Sequence, residues 1–228
     1  MKPLQSTHYR RGFTLVEIAI VLVIIGLLLG GVLKGQELIT GARVRNFIQQ
    51  QDGIKAAYFG FLDRYRALPG DYTQAVANIP GVVANAACGN GNGDGNGQVT
   101  TAANENILMW EHLSRAQFIN GAFGCAAPVG GVPAAGSAPT NPYGAFMDFQ
   151  FDANYNTPTG QRHNLKTGAQ VPSDILAEID RKVDDGNPAQ GSFRAPSAPA
   201  ATCVTVAAGV SSWNTNPPDP SCQATTLF

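Results

Sequence analysis

Residues 13–33 read FTLVEIAIVLVIIGLLLGGVL, a run in which Glu17 is the only ionisable side chain. Nothing else constrains this chain as much. A helix rises about 1.5 Å per residue, so a run of this length spans about 30 Å, the thickness of a hydrocarbon core. The run predicts one membrane-spanning helix. The segment before it, MKPLQSTHYRRG, carries Lys2, Arg10 and Arg11 and no acid. A basic flank stays cytoplasmic, which places the remainder of the chain beyond the inner face.

A secretory signal peptide is the competing reading. Its apolar region is usually about 7 to 15 residues long and ends in a small-residue cleavage site. Here the run is longer, and Lys34, Gly35, Gln36 and Glu37 follow it with no A-x-A pattern. Glu17 is the anomaly. A carboxylate near the end of a spanning helix is costly to bury, and such residues tend to be functional, with a nameable partner. A glutamate reaching headgroup water is the bland reading, and the residues alone weigh the two equally.

Gly12 followed by FTLVEIAIVLVIIGLLLGG resembles the prepilin-type cleavage and methylation segment of type IV pilins and type II secretion pseudopilins. The resemblance rests on the basic leader, the glycine before the cut, Phe13 as first mature residue and Glu17 as fifth. It covers residues 10 to about 45. It implies that a membrane prepilin peptidase cuts Gly12–Phe13 and N-methylates Phe13. It also implies that Glu17 meets the amino group of a neighbouring subunit inside a helical filament. A buried carboxylate facing a buried ammonium costs far less than either alone, and the pairing fixes register. Many family members carry a kinking proline about twenty residues into the mature helix. This chain has Lys34 there and no proline between Pro3 and Pro69. Any softening must come from Gly26, Gly30, Gly31 and Gly35, since helical glycine costs about 1 kcal/mol relative to alanine.

From Gln36 to Leu68 the helical pattern continues in amphipathic form. Val44, Phe47, Ile54, Tyr58, Phe61 and Tyr65 follow a seven-residue repeat broken at Gln51. Such a stripe lies on a core. Pro69-Gly70 stops the helix, because the residue before proline avoids helical dihedrals and Pro-Gly favours a turn. The boundaries expected are a leader over 1–12, a membrane or filament-core helix over 13–35, an amphipathic stem over 36–68 and an extracytoplasmic head over 69–228. The fold class expected is α+β, pilin-like, with the long helix packed on a small antiparallel-sheet head.

Residues 67–228 hold 6 basic and 12 acidic side chains, against 6 and 4 in residues 13–66. An acidic head lacks the footprint of a nucleic-acid binder. All four cysteines, Cys88, Cys125, Cys203 and Cys222, lie in the head, and none forms a CxxC or zinc spacing. An oxidising compartment favours disulfides. Of three pairings, Cys88–Cys125 and Cys203–Cys222 are favoured because each closes a local loop.

Asn104 to Asn120 reads as a second helix, with Ile107, Trp110 and Leu113 on one face. Ala145 to Asp152 alternates as a strand, with a return strand at Gln161–Lys166. Ser173 caps a short helix from Asp174 to about Lys182. Thr202–Ala207 reads as a further strand, and residues 126 to 143 and 186 to 200 as loops.

Within CGNGNGDGNGQ, residues Asn92, Asp94 and Asn96 with Gly97 and Val99 approximate the first half of a calcium loop. Position twelve is Ala103, not an acid, and a flexible Asn/Gly turn is the favoured alternative. Asp184 and Asp185 form a second, weaker Ca2+ candidate beside the reading of a helix-ending turn. His8, His112 and His163 are scattered, and no G-x-S-x-G or H-E-x-x-H pattern occurs. His112 reads as a partly buried structural residue, so no enzyme is expected.

What the resemblance implies is a structural filament subunit of a type IV pilus or a type II secretion pseudopilus. Its partners are then copies of itself, other pilins or pseudopilins, the prepilin peptidase and an ATP-driven inner-membrane platform. Its location is the inner membrane, single pass, and later a periplasmic or cell-surface filament. The alternative is a membrane-anchored head with its own binding or enzymatic activity.

Overall fold

The computed structural model describes residues 14–125, 132–207 and 209–228. The chain divides into two compact units, Met1–Ala42 and Arg43–Phe228. Helix α1, Leu15–Tyr65, runs through the division.

In the first unit, every described residue from Thr14 to Lys34 is exposed, and Leu15, Leu22, Val23, Leu27 and Leu33 are each more than 60% accessible. Gly26, Gly30, Gly31 and Gly35 are all helical. Helix keeps its backbone hydrogen bonds internal, so such a segment suits a medium that offers none.

The second unit is built on α1 from Arg43 onward. Val44, Phe47, Ile54, Tyr58 and Phe61 are buried, the stripe that the seven-residue spacing predicts. Gln51, which breaks the repeat, is buried too, and its Oε1 accepts the Thr226 hydroxyl at 3.0 Å. Tyr65 ends α1, three residues short of the expected Leu68, because Arg66 takes a left-handed backbone with φ 55°.

After α2 (Ala75–Asn78) and a 3-10 turn at Gly89–Gly91 comes α3 (Glu105–Arg115). Four strands, β1 (Asp148–Asp152), β2 (Arg162–Lys166), β3 (Phe193–Arg194) and β6 (Thr225–Leu227), form an antiparallel sheet in the order β1-β2-β6-β3. Helix α4 (Ser173–Val183) separates β2 from β3 in sequence. Strands β4 (Val204–Ala207) and β5 (Val210–Trp213) form a separate hairpin. The architecture is α+β: a long N-terminal apolar helix followed by a small antiparallel-sheet domain.

Two large apolar clusters hold this unit, beside a small one of Cys88, Ile107 and Leu108. One joins Ile54, Tyr58 and Phe61 to Met109, Trp110, Leu113, Phe149 and Leu165. The other joins Val44 and Phe47 to Ile175, Leu176, Ile179, Phe193 and Trp213. Each fully buried side chain of this size contributes about 1.5–3 kcal/mol.

Several local expectations need correcting. Helix α3 is shorter than Asn104–Asn120, and ten of its residues, Glu105 to Ser114, are buried, so it has no solvent face of the expected kind. It ends early because Gln117 adopts φ 64°. Phe118 N–H then reaches Leu113 O at 2.9 Å and Gln117 N–H reaches Ser114 O at 3.1 Å. That is the paired closure of a Schellman motif with glutamine where glycine is usual. Left-handed backbone costs a non-glycine residue about 1–2 kcal/mol, and glycine returns about 0.4–1 kcal/mol of that through unfolded-state entropy. Gln117→Gly is therefore expected to raise the unfolding free energy by about 0.5–1 kcal/mol in urea titration; an unchanged or lower midpoint contradicts it.

Ser173 is the first residue of α4, and Pro172 is the N-cap. The Ser173 hydroxyl instead donates to Asn214 O and accepts Asp219 N–H. The loop expected over 186–200 contains β3, and of the loop over 126–143 residues 126–131 lie outside the described residues.

Candidate functional site

Helix α1 begins at Leu15, which makes Thr14 its N-cap and Glu17 its third residue. Thr14 Oγ1 accepts the Glu17 backbone N–H at 3.3 Å. Glu17 Oε2 accepts the Thr14 backbone N–H at 3.3 Å and the Thr14 hydroxyl at 3.4 Å. This reciprocal pattern is a capping box, which satisfies orphan N–H groups at a helix start. An acid in the first turn also complements the helix dipole. The T-x-x-E spacing is a sequence signal for it, and it stands beside the buried-charge and headgroup readings of Glu17.

Among the described residues Glu17 has no cationic partner, and the next ionisable side chain along α1 is Lys34, which pairs with Glu37 at 2.6 Å. Within a single chain the Glu17 carboxylate caps its own helix. Gly12 and Phe13, the expected cleavage and methylation positions, lie outside the described residues.

The basic leader, the glycine, the capped helix start with Glu17, and the exposed apolar helix fall in one stretch of sequence. Residues 7–33 match the prokaryotic N-terminal methylation motif. The match marks this stretch as a type IV pilin-like or pseudopilin segment, processed in the manner of a prepilin. Together with the one described helix long and apolar enough to cross a membrane, the motif fits a membrane-anchored pilin-like protein. No curated protein and no solved structure matches the chain.

The remaining expected positions lie in the head. Disulfides join Cys88 to Cys125 and Cys203 to Cys222. In the Asn/Gly loop, the side-chain oxygens considered as calcium ligands already accept hydrogen bonds. Asn92 Oδ1 takes Val76 N–H, Asp94 Oδ1 takes Asn96 N–H, and Asn96 Oδ1 takes Gln98 N–H. The loop closes instead on Asp71, whose carboxylate receives the N–H groups of Gly95, Asn96 and Gly97 at 2.6, 3.1 and 2.8 Å. A calcium loop converges oxygens on a cation; here three backbone amides converge on an anion. Asp71, Asp94 and Glu105 nonetheless bring carboxylate oxygens within 4.8 Å of one another. Sequence reasoning missed Asp71 because it lies 24 to 26 residues before the amides that it binds.

Asp180, Asp184 and Asp185 form a second acidic group of that compactness. Asp180 Oδ2 receives Trp213 Nε1–H at 2.7 Å, and burial pushes its carboxyl up to about 6. Asp184 Oδ2 accepts the N–H groups of Ser192 and Phe193. Asp180 thus ties the end of α4 to the Trp213 indole, and Asp184 ties it to the backbone at the start of β3.

The polar residues of α3 do similar work. Glu105 accepts Asp94 N–H and Thr100 N–H, Asn106 donates to Asp148 Oδ1, and Glu111 accepts Cys125 N–H. His112 is fully buried: its Nδ1 accepts Gly70 N–H at 3.0 Å and its Nε2 faces Gly91 O at 3.1 Å. This pairing requires the neutral ring with its proton on Nε2. Burial lowers the pKa to about 4, which keeps that form. Both ring nitrogens are spent on backbone, which leaves neither for proton transfer to a substrate.

Proposed function

We propose that this chain is a structural subunit of a type IV pilus or type II secretion pseudopilus filament. The prepilin peptidase cuts Gly12–Phe13 and N-methylates Phe13. The helix beginning at Leu15 serves first as an inner-membrane anchor and then as filament core, with the head outside the cytoplasm. Copies of the chain and other pilins or pseudopilins are its partners, delivered by an inner-membrane platform. The observation that carries the reading is the methylation motif at residues 7–33, which runs into a helix whose large apolar side chains from Leu15 to Leu33 are exposed. Exposed apolar area on this scale needs lipid or neighbouring subunits. A filament supplies both in turn.

Glu17 fits the same scheme. Its oxygens cap a helix in the single chain, and they meet the Phe13 ammonium of a neighbour in the assembly. The head carries no part of a reaction in this reading. Its buried acids and His112 hold loops.

Intact-mass and amino-terminal analysis of the protein from its native host tests the processing step. A chain beginning at N-methyl-Phe13 is expected. A retained Met1, or a cut after the apolar run, overturns the proposal.

A further inference from the structure

The sequence holds seven Asn-Gly or Asp-Gly steps, an unusual load for a chain of this length. Such steps are chemically labile, because glycine has no side chain to crowd the attack of its own backbone nitrogen on the preceding carboxamide or carboxyl. The attack needs that nitrogen free. In six of the seven steps it is held. Gly53 N–H is committed inside α1. Gly91 N–H bonds Cys88 O at 2.7 Å, and Gly93 N–H bonds Tyr72 O at 3.1 Å. Gly95 and Gly97 give theirs to Asp71, and Gly186 gives its own to Asp180 Oδ1 at 3.1 Å. The exception is Asn120–Gly121. Among the described residues Gly121 N–H and the Asn120 carboxamide have no hydrogen-bond partner, and both residues are exposed. Gly121 has φ 115°, a backbone state that few other residues adopt, so the glycine is fixed by the turn.

We infer that Asn120 is a site of spontaneous deamidation, and that the hydrogen bonding of the Asn/Gly loop protects the three asparagine steps within it. The deprotonated Gly121 nitrogen bonds to Asn120 Cγ. The Cγ–NH2 bond breaks, and the amide leaves as ammonia with the proton that Gly121 gave up. Water then opens the cyclic imide at either carbonyl to aspartate or isoaspartate. No other reactant is needed.

The position gives the change a structural effect. Asn120 lies on the rim of a cavity of about 290 Å³ lined by Ile54, Phe118 and Phe123. Aspartate places a negative charge beside Phe118, Ile119 and Phe123, in a lining that holds no other ionisable side chain. Isoaspartate lengthens the backbone between the Gln117 turn and the Cys125 anchor.

The test is peptide mapping by mass spectrometry of the full chain in detergent, aged in mildly alkaline buffer. A neutral hydrogen bond that must be given up slows the attack about fivefold, and one to a carboxylate about tenfold to a hundredfold. Asn120 is therefore expected to convert about fivefold faster than Asn90 and Asn92, and at least about tenfold faster than Asn96. In urea with reductant the four rates should converge. If Asn96 converts as fast as Asn120 in the folded chain, the inference fails. It fails equally if Asn120 stays intact while the denatured chain converts.

Discussion

Glu17→Val is expected to yield a protein that is cut and methylated normally yet is absent from sheared filaments. The cut lies before the apolar run, so the substitution leaves the peptide bond and its basic leader unchanged. Assembly is another matter. In the proposed filament the Phe13 ammonium is drawn into an apolar core. Removing one partner of a buried ion pair costs about 3–5 kcal/mol, because the other charge is left uncompensated. At 1.4 kcal/mol per decade, that is about a hundredfold to a thousandfold or more in the affinity of a subunit for the growing end. The variant also loses the carboxylate half of its capping box, while Thr14 Oγ1 still accepts the backbone N–H of residue 17. Glu17→Gln separates the two roles. Glutamine serves in a capping box but carries no charge. The pairing role requires Glu17→Gln to fail like Glu17→Val. Normal incorporation of Glu17→Gln would show that capping was the whole task of this residue.

The second large effect is the loss, in mild acid, of the stability that neutral His112 contributes to the head. Its pKa is lowered to about 4 by burial, against 6.5 when free. Between those values the unfolded chain binds a proton that the folded chain refuses. The stability tied to neutral His112 is thus complete above about pH 6.5 and is lost as pH falls toward 4. The shift corresponds to about 3 kcal/mol. Protonation also turns Nδ1 into a donor facing the Gly70 N–H, so the contact becomes repulsive. His163, whose pKa burial also lowers, acts in the same direction. Asp180, raised to about 6, and Asp71, Glu105, Glu111 and Asp148, whose carboxyls burial also pushes up, act oppositely: acidification through their range favours the folded state. The total pH profile therefore mixes signs, and a variant comparison isolates the term. The stability advantage of the wild type over His112→Gln, measured by urea unfolding, should shrink by about 3 kcal/mol from pH 7 to 4. An advantage that does not change with pH would place the acid sensitivity elsewhere.

What the sequence revealed followed from repeats and punctuation. The apolar run announced itself by length. Val44, Phe47, Ile54, Tyr58 and Phe61 showed their burial through spacing alone, because one helix sets their geometry. Gln51 looked like a flaw in that stripe, since its partner Thr226 lies at the far end of the chain. The same separation hid the polar face of α3. Glu105 and Glu111 resemble solvent residues, and His112 only a partly buried one, until the loops they hold are folded over them. Strands β3 and β6 span two and three residues, too few for alternation to register, and only pairing defines them. At the processing segment the methylation motif was legible residue by residue. The capping role of Glu17 required the observed bonds with Thr14, and its proposed partner belongs to another copy.

The position of β6 bears on the order in which the head can form. Residues 225–227 pair with β2 on one side and β3 on the other, so the middle of the sheet is the last strand of the sequence. Strands β2 and β3 have no direct contact to make first. Within the four-stranded sheet, every pairing beyond the β1–β2 hairpin waits on this late segment, and long-range pairings of this kind form slowly. A head threaded through a membrane from its anchored end would stay an open half-sheet until those residues emerged. In the proposed exported head, closure of the four-stranded sheet waits for residues 225–227.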